Sequence, residues 1–170
     1  MTIKVALAGA GAFGIKHLDG IKLIDGVEVV SLVGRDLAKT QEVADKYGIT
    51  HVTTDLNDSL GLKEVDAVIL CTPTQMHASQ SIACLNAGKH VQVEIPLCDV
   101  YRDGAQVVEL QKQTGLVAMC GHTRRFNPSH QFVHQQIQAG KFNIYQMDVQ
   151  TYFFRRTNMN ALGQARSWTD

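Results

Sequence analysis

Apolar residues fall along this chain in short dense runs separated by longer stretches of mixed character. Ile3–Ala8, Val27–Val33, residues 66–71, His90–Val93 and residues 116–120 are rich in Val, Ile and Leu, as strands buried on both faces of a sheet are. A weaker strand is expected near residues 49–53. Between the runs lie helix-like stretches with readable ends. Asp36 is placed to cap a helix that stops at Gly48, Thr74 one that stops at Gly88, and Asp99 one that stops near Gly115. Strand and helix therefore alternate, which predicts an α/β fold: a doubly wound parallel sheet, helices on both sides, right-handed crossovers. In the dinucleotide-binding strand order the first and fourth strands are neighbours, and a ligand sits in the crevice between their carboxyl ends.

The pattern changes after Cys120. Asn127 followed by Pro128 starts a helix with Phe132, Val133 and Ile137 on one face and Gly140 at its end. Residues 145–153 then alternate, with Tyr145, Met147, Val149 and Phe153 on one face and Gln146, Asp148 and Gln150 on the other, as in a half-buried antiparallel strand. Such a strand needs companions, and only the polar "RRTNMNALGQARSWTD" follows. The expected organisation is a dinucleotide-binding Rossmann domain over residues 1–122 and the truncated start of an α+β second domain over 123–170.

Composition narrows the function classes. With 170 residues, 45% of them hydrophobic, the chain buries a core of one domain plus some extension. Sixteen Lys and Arg balance sixteen Asp and Glu, so no overall field draws it to nucleic acid or an anionic membrane, and any anion site must be local. There is no basic leader and no apolar run near the ~20 residues that span a bilayer, so a cytoplasmic location is expected. Cys71, Cys84, Cys98 and Cys120 form no C-x-x-C pair and have no His at zinc-ligand spacing, so reduced, mostly buried thiols and no metal site are expected.

Glycines 9, 11 and 14 give the spacing G-x-G-x-x-G. They stand between the first strand and a helix whose Ile15, Leu18 and Ile21 share a face, the context a pyrophosphate-binding turn requires. Gly9 permits the tight turn, Gly11 lets the backbone approach the anion, and Gly14 lets helix and sheet pack closely, while the free N–H groups of the helix start hold the phosphates. The competing reading is a turn that needs glycine for packing alone. The second strand ends "SLVGRD", with Gly34 where an NAD site carries its ribose-binding acid and Arg35 beside it. A guanidinium that forks two oxygens, with no carboxylate to repel a 2′-phosphate, favours NADP over NAD. The alternative leaves Arg35 in solvent and gives the ribose to Asp36.

Three further stretches carry a family resemblance: "DAVILC" (66–71), "TPTQMH" (72–77) and "AGKHVQVEIP" (87–96). Together they resemble the Gfo/Idh/MocA oxidoreductase family, with its C-T-P-x-x-x-H loop and G-K-H-V-x-x-E-K-P stretch. The resemblance implies a Rossmann domain followed by a larger second domain that supplies substrate groups and the homo-oligomer interface. It places Gly9, Gly11, Ala12, Phe13 and Gly14 on the pyrophosphate and Arg35 on the adenosine side. Cys71, Thr72, Pro73, Thr74 and His77 then line the wall beside the cofactor, with Glu94 near the nicotinamide ribose. The chain departs from the family at Ile95, where most members have a catalytic Lys.

Longer stretches, among them "GHTRRFNPSHQ" and "MDVQTYFFRRTNMN", resemble a branch of the family that acts on a carboxylated ring-cleavage semialdehyde. That implies NADP-dependent oxidation of a cyclic hemiacetal to a lactone. With Ile95 unable to take a proton, His77 and His122 are candidate bases, each equally readable as a structural histidine, and the second domain is a further source. Arg124 and Arg125 are placed to bind substrate carboxylates or to form salt bridges at the surface, and Arg155 and Arg156 raise the same question. Two other functions stay open: an NADP-binding module or redox sensor without chemistry, which Ile95 favours, and a sugar or inositol dehydrogenase.

Overall fold

The computed structural model describes residues 2–150. The chain divides into two compact units, Met1–Phe126 and Asn127–Asp170.

In the first unit six strands form one sheet: β1 (Ile3–Ala8), β2 (Val27–Val33), β3 (His51–Thr53), β4 (Ala67–Leu70), β5 (His90–Val93) and β6 (Ala118–Cys120). Their order is β3-β2-β1-β4-β5-β6 and every pairing is parallel, so β1 and β4 are neighbours as expected. The crossovers run through α1 (Ala12–Ile21), α2 (Leu37–Tyr47), α3 (Leu56–Leu60), α4 (Thr74–Asn86) and α5 (Tyr101–Thr114).

Side chains alternate across the sheet, and so does the core. Leu7 and Leu32 face one way and pack with Leu18 of α1, Ala44 of α2 and Ile49. Ala6, Ala8, Val68, Leu70, Val91 and Val93 face the other way and meet Leu56 and Leu60 of α3, Leu85 of α4 and Val107 of α5. Two polar ties sit inside this apolar frame. Ser31 Oγ on β2 lies 2.8 Å from His51 Nδ1 and 2.7 Å from Ser59 Oγ, joining β2, β3 and α3. Lys89 Nζ donates to the Leu62 and Val65 carbonyls at 3.0 and 2.7 Å, so the lysine of "GKHV" holds backbone together. These polar groups are thereby paired, whereas the buried Ser81 Oγ on α4 has no hydrogen-bond partner among the described residues.

The Asp36 carboxylate caps α2 by accepting the Lys39 N–H at 3.1 Å, and Gly48 closes that helix at φ +71°. Two expected caps are displaced. Thr74 is the first residue of α4, and Pro73, with φ −60° and ψ 143°, makes the extended entry in its place without a side-chain bond. Val100 rather than Asp99 precedes α5, and the acid favoured by the helix dipole is Asp103 in the first turn. Of the four free cysteines only Cys84 is fully buried; Cys71, Cys98 and Cys120 are half-buried.

In the second unit α6 (Pro128–Gln138) starts as expected: Asn127 Oδ1 accepts the Ser129 N–H at 3.0 Å, Pro128 opens the helix, and Gly140 turns the chain at φ +68°. Phe132 and Val133 are exposed. The strand expected over 145–153 is not formed at 145–150, and residues 151–153 lie outside the described residues. Among the described residues no strand is paired with 145–149, and a lone amphipathic strand needs companions to form.

Leu7 sits at the centre of the frame with no exposed surface. Leu7→Ala is expected to lower the unfolding free energy by about 2–5 kcal/mol, read as a lower denaturant midpoint at unchanged slope.

Candidate functional site

β1 ends at Ala8, and the turn that follows is wedged between two neighbouring strand ends. The Gly9 N–H donates to the Val33 carbonyl at 2.8 Å, and the Cys71 N–H donates to the Ala8 carbonyl at 2.7 Å. Gly9 has φ +109°, and a Cβ there would lie 2.4 Å from the Cys71 carbonyl oxygen. At Gly14 a Cβ would lie 1.9 Å from the Gly9 carbonyl oxygen, so glycine alone lets α1 begin this close to the turn. Gly11 is different: a Cβ there would meet nothing within 4 Å. Two of the three glycines are thus demanded by packing, and the third leaves an open flank beside the first turn of α1.

That turn carries no acidic residue, and its cap, Gly11, offers no side-chain acceptor. The first N–H groups of a helix have no intrahelical partner, and the helix dipole adds partial positive charge. Open space at Gly11 and unclaimed amides at Ala12, Phe13 and Gly14 fit a diphosphate.

Beside this turn, at the β1–β4 switch point, opens a cleft of about 580 Å³. Phe13, Lys16 and His17 form its α1 side, Cys71, Thr72, Pro73, Thr74 and His77 its β4–α4 side, and Glu94, Ile95 and Thr123 complete it. All the wall residues expected from the sequence come together here.

The electrostatics of the cleft are set by a pair absent from the sequence-based candidates. His17 Nε2 lies 2.7 Å from Glu94 Oε1, across the space between α1 and the end of β5. The carboxylate can only accept, so the ring N–H donates and fixes Glu94 in place. His17 lay in view, on the flank of α1 away from Leu18, but its partner is distant in sequence. Burial, and after it the Glu94 charge, pushes the Cys71 thiol up to about 12, so it stays protonated near neutrality and is no nucleophile.

His77 is 1% exposed, and both of its ring nitrogens face backbone carbonyls: Nδ1 lies 2.7 Å from Pro96 O and Nε2 2.7 Å from Thr72 O. A ring with a single N–H donates to one of these carbonyls, and with both nitrogens turned toward backbone the buried ring ties two loops together rather than facing a substrate. His122 is exposed and lies outside the cleft lining, with its ring Nδ1 3.3 Å from the Cys120 carbonyl. Thr123 reaches the cleft, whereas Arg124 and Arg125 do not line it. All three belong to a 3-10 turn, Thr123–Phe126, in which successive side chains diverge by about 120°.

At the tip of β2 the Gly34 N–H donates to the Thr53 carbonyl at 3.0 Å. Arg35 follows and is exposed. Asp36 is already engaged as the α2 cap. Among the described residues no cluster of three or more His, Cys, Asp or Glu is arranged to hold a metal ion, and no helix is long and apolar enough to cross a membrane.

Comparison with known proteins agrees with this geometry. A family described as an oxidoreductase family with an NAD-binding Rossmann fold matches residues 3–122, and one described as bacterial oxidoreductases, C-terminal, matches residues 128–170. The chain is 65% identical over 168 residues to 4-carboxy-2-hydroxymuconate-6-semialdehyde dehydrogenase of Sphingobium sp., covering 99% of this chain and 53% of that protein. It is 31% identical over 144 residues to inositol 2-dehydrogenase of Salmonella typhimurium, covering 83% of this chain and 43% of that protein. Its fold matches scyllo-inositol dehydrogenase of Lactobacillus casei with bound NAD(H) and scyllo-inositol, with TM-score 0.79, 27% identity, and 83% and 42% of the two chains covered. The chain thus spans about half the length of the curated relatives it matches. The glycine turn, the cleft at the switch point and the family match over both units together establish that the chain belongs to the Gfo/Idh/MocA oxidoreductase family.

Proposed function

We propose that this chain is the dinucleotide-binding half of an NADP-dependent dehydrogenase of bacterial protocatechuate 4,5-cleavage degradation. Its reaction would oxidise the cyclic hemiacetal of 4-carboxy-2-hydroxymuconate-6-semialdehyde to 2-pyrone-4,6-dicarboxylate. The observation that carries the reading is the open flank at Gly11 beside the first turn of α1, opening on a cleft large enough for a nicotinamide. The 65% identity to the Sphingobium enzyme over 99% of the chain supports this choice of substrate.

The amides of Ala12, Phe13 and Gly14 would hold the diphosphate, Arg35 the 2′-phosphate, and Glu94, steadied by His17, the nicotinamide ribose. The bound nicotinamide supplies a hydride acceptor for the hemiacetal carbon. A proton must leave the hemiacetal hydroxyl as the lactone carbonyl forms. Ile95 has no lone pair, Cys71 is held neutral, both His77 nitrogens face backbone carbonyls, His17 and Glu94 are bonded to each other and Lys16 lies over the Phe13 ring, so we assign the base to the second domain rather than to the described cleft wall. Arg124 and Arg125 remain our candidates for the substrate carboxylates. We further propose a cytoplasmic enzyme, homo-oligomeric through its second domain, with the 170-residue chain inactive by itself.

A second reading, a cofactor-binding module without chemistry, is favoured by Ile95. An inositol substrate is disfavoured by the same residue, which removes the family's usual base.

Fluorescence titration of the chain should show NADPH bound more tightly than NADH. Arg35→Ala should weaken NADPH by ~10- to 100-fold, the loss of one charge-assisted bond of about 1.5–3 kcal/mol, and leave NADH nearly untouched. Equal losses for both would refute the NADP assignment. His77→Ala should lower the unfolding free energy by about 3–5 kcal/mol, from a buried carbonyl left without its donor and a side-chain-sized void. An unchanged midpoint would return the ring to the list of bases. Joined to the remaining portion of the Sphingobium relative, the chain should reduce NADP with the semialdehyde. Tight NADPH binding without turnover there would support the binding module instead.

A further inference from the structure

Position 34 is where an NAD site carries the acid that bonds the ribose hydroxyls. Gly34 is usually read as the mere absence of that acid, but the structure shows that its place is filled. A Cβ on residue 34 would lie 2.0 Å from Thr40 Oγ1 and 3.0 Å from both Thr40 Cβ and Cγ2. Thr40, one turn into α2, is 2% exposed. Its hydroxyl donates to the Asp36 carbonyl at 2.6 Å, and its β-branched side chain has few rotamers open inside a helix. The other partner cannot yield either. The Gly34 N–H is fixed on the Thr53 carbonyl at 3.0 Å, and Asp36, two residues on, is fixed as the cap by the Lys39 N–H. Strand tip and helix start are thus held against each other, with one methyl-sized gap already taken by a hydroxyl.

We propose that Thr40 is a specificity-determining residue: by occupying the place of a Cβ at position 34, it bars the acidic side chain that favours NAD and leaves Arg35 to choose the cofactor. The inference rests on the NADP reading above and adds a second position to it. Positions 34 and 40 form one unit, so changing the first alone fails and changing both succeeds. Thr40→Ala removes Oγ1 and Cγ2 and leaves a 3.0 Å Cβ approach, which a shift of a few tenths of an ångström relieves.

The test uses Gly34→Asp, Thr40→Ala and the double variant, with thermal midpoint and the Kd for NADH and NADPH as readouts. A parallel Gly34→Ala series isolates the steric part should the aspartate variants fold poorly. Gly34→Asp and Gly34→Ala should each lower Tm by about 3–10 °C, the scale of overpacking in a chain of this size, and Gly34→Asp should gain less than about threefold in NADH affinity. Thr40→Ala alone should keep both Kd values within about threefold. Each double variant should recover at least half of the lost Tm, and Gly34→Asp with Thr40→Ala should bind NADH ~10-fold more tightly and NADPH ~10-fold more weakly than the parent. Gly34→Asp at full Tm with a tenfold NADH gain would overturn the inference, as would a double variant no more stable than the single. The NADP reading fails separately, if the unmodified chain holds NADH as tightly as NADPH.

Discussion

Everything at the ligand end of this domain depends on how closely two strand ends approach each other at the parting of the sheet. Gly9 turns out of β1 against the carbonyl of Cys71, at a distance that no side chain survives. The same turn is bonded to β2 through Val33 and to β4 through Ala8 and Cys71. Because the turn is held on both sides, α1 can start only where it does, with its first amides facing the cleft. Packing and binding are therefore not separable here. The glycines that close the turn are the ones that aim the helix.

The cleft is also a study in neutralised chemistry. Of the groups lining it that could take up a proton or attack a carbon, His77 is turned toward two backbone carbonyls and Cys71 is kept protonated. Glu94 is held by His17. Ile95 contributes only apolar surface. Such a wall holds and orients a cofactor without competing with it, and the proposed reaction then draws its base from elsewhere in the protein.

The sequence disclosed the strands and the glycine turn well, because buried parallel strands write continuous apolar runs and a strand-to-helix turn writes glycines at fixed spacing. Asp36 and Asn127 were legible as caps for the same reason: their side-chain bonds span two or three residues. What escaped was short or distant. The five residues of α3 show too little periodicity to be read. The His17–Glu94 pair joins residues far apart in the chain, and nothing local marks it. Thr40 reads as an ordinary helix residue until Gly34 is seen against it. The alternation expected to form a strand over 145–153 gives none at 145–150, and residues 151–153 lie outside the described residues.

If the proposed substrate is the right one, the state of Cys71 bears on its reactivity. A ring-cleavage semialdehyde in equilibrium with its hemiacetal exposes a free carbonyl, and a thiolate in the same cleft would trap that carbonyl as a thiohemiacetal. With burial, and after it the neighbouring carboxylate, holding the sulfur in its S–H form, that capture route is slowed at neutral pH. The anion that steadies one side of the cleft thus also shields the electrophile from the other.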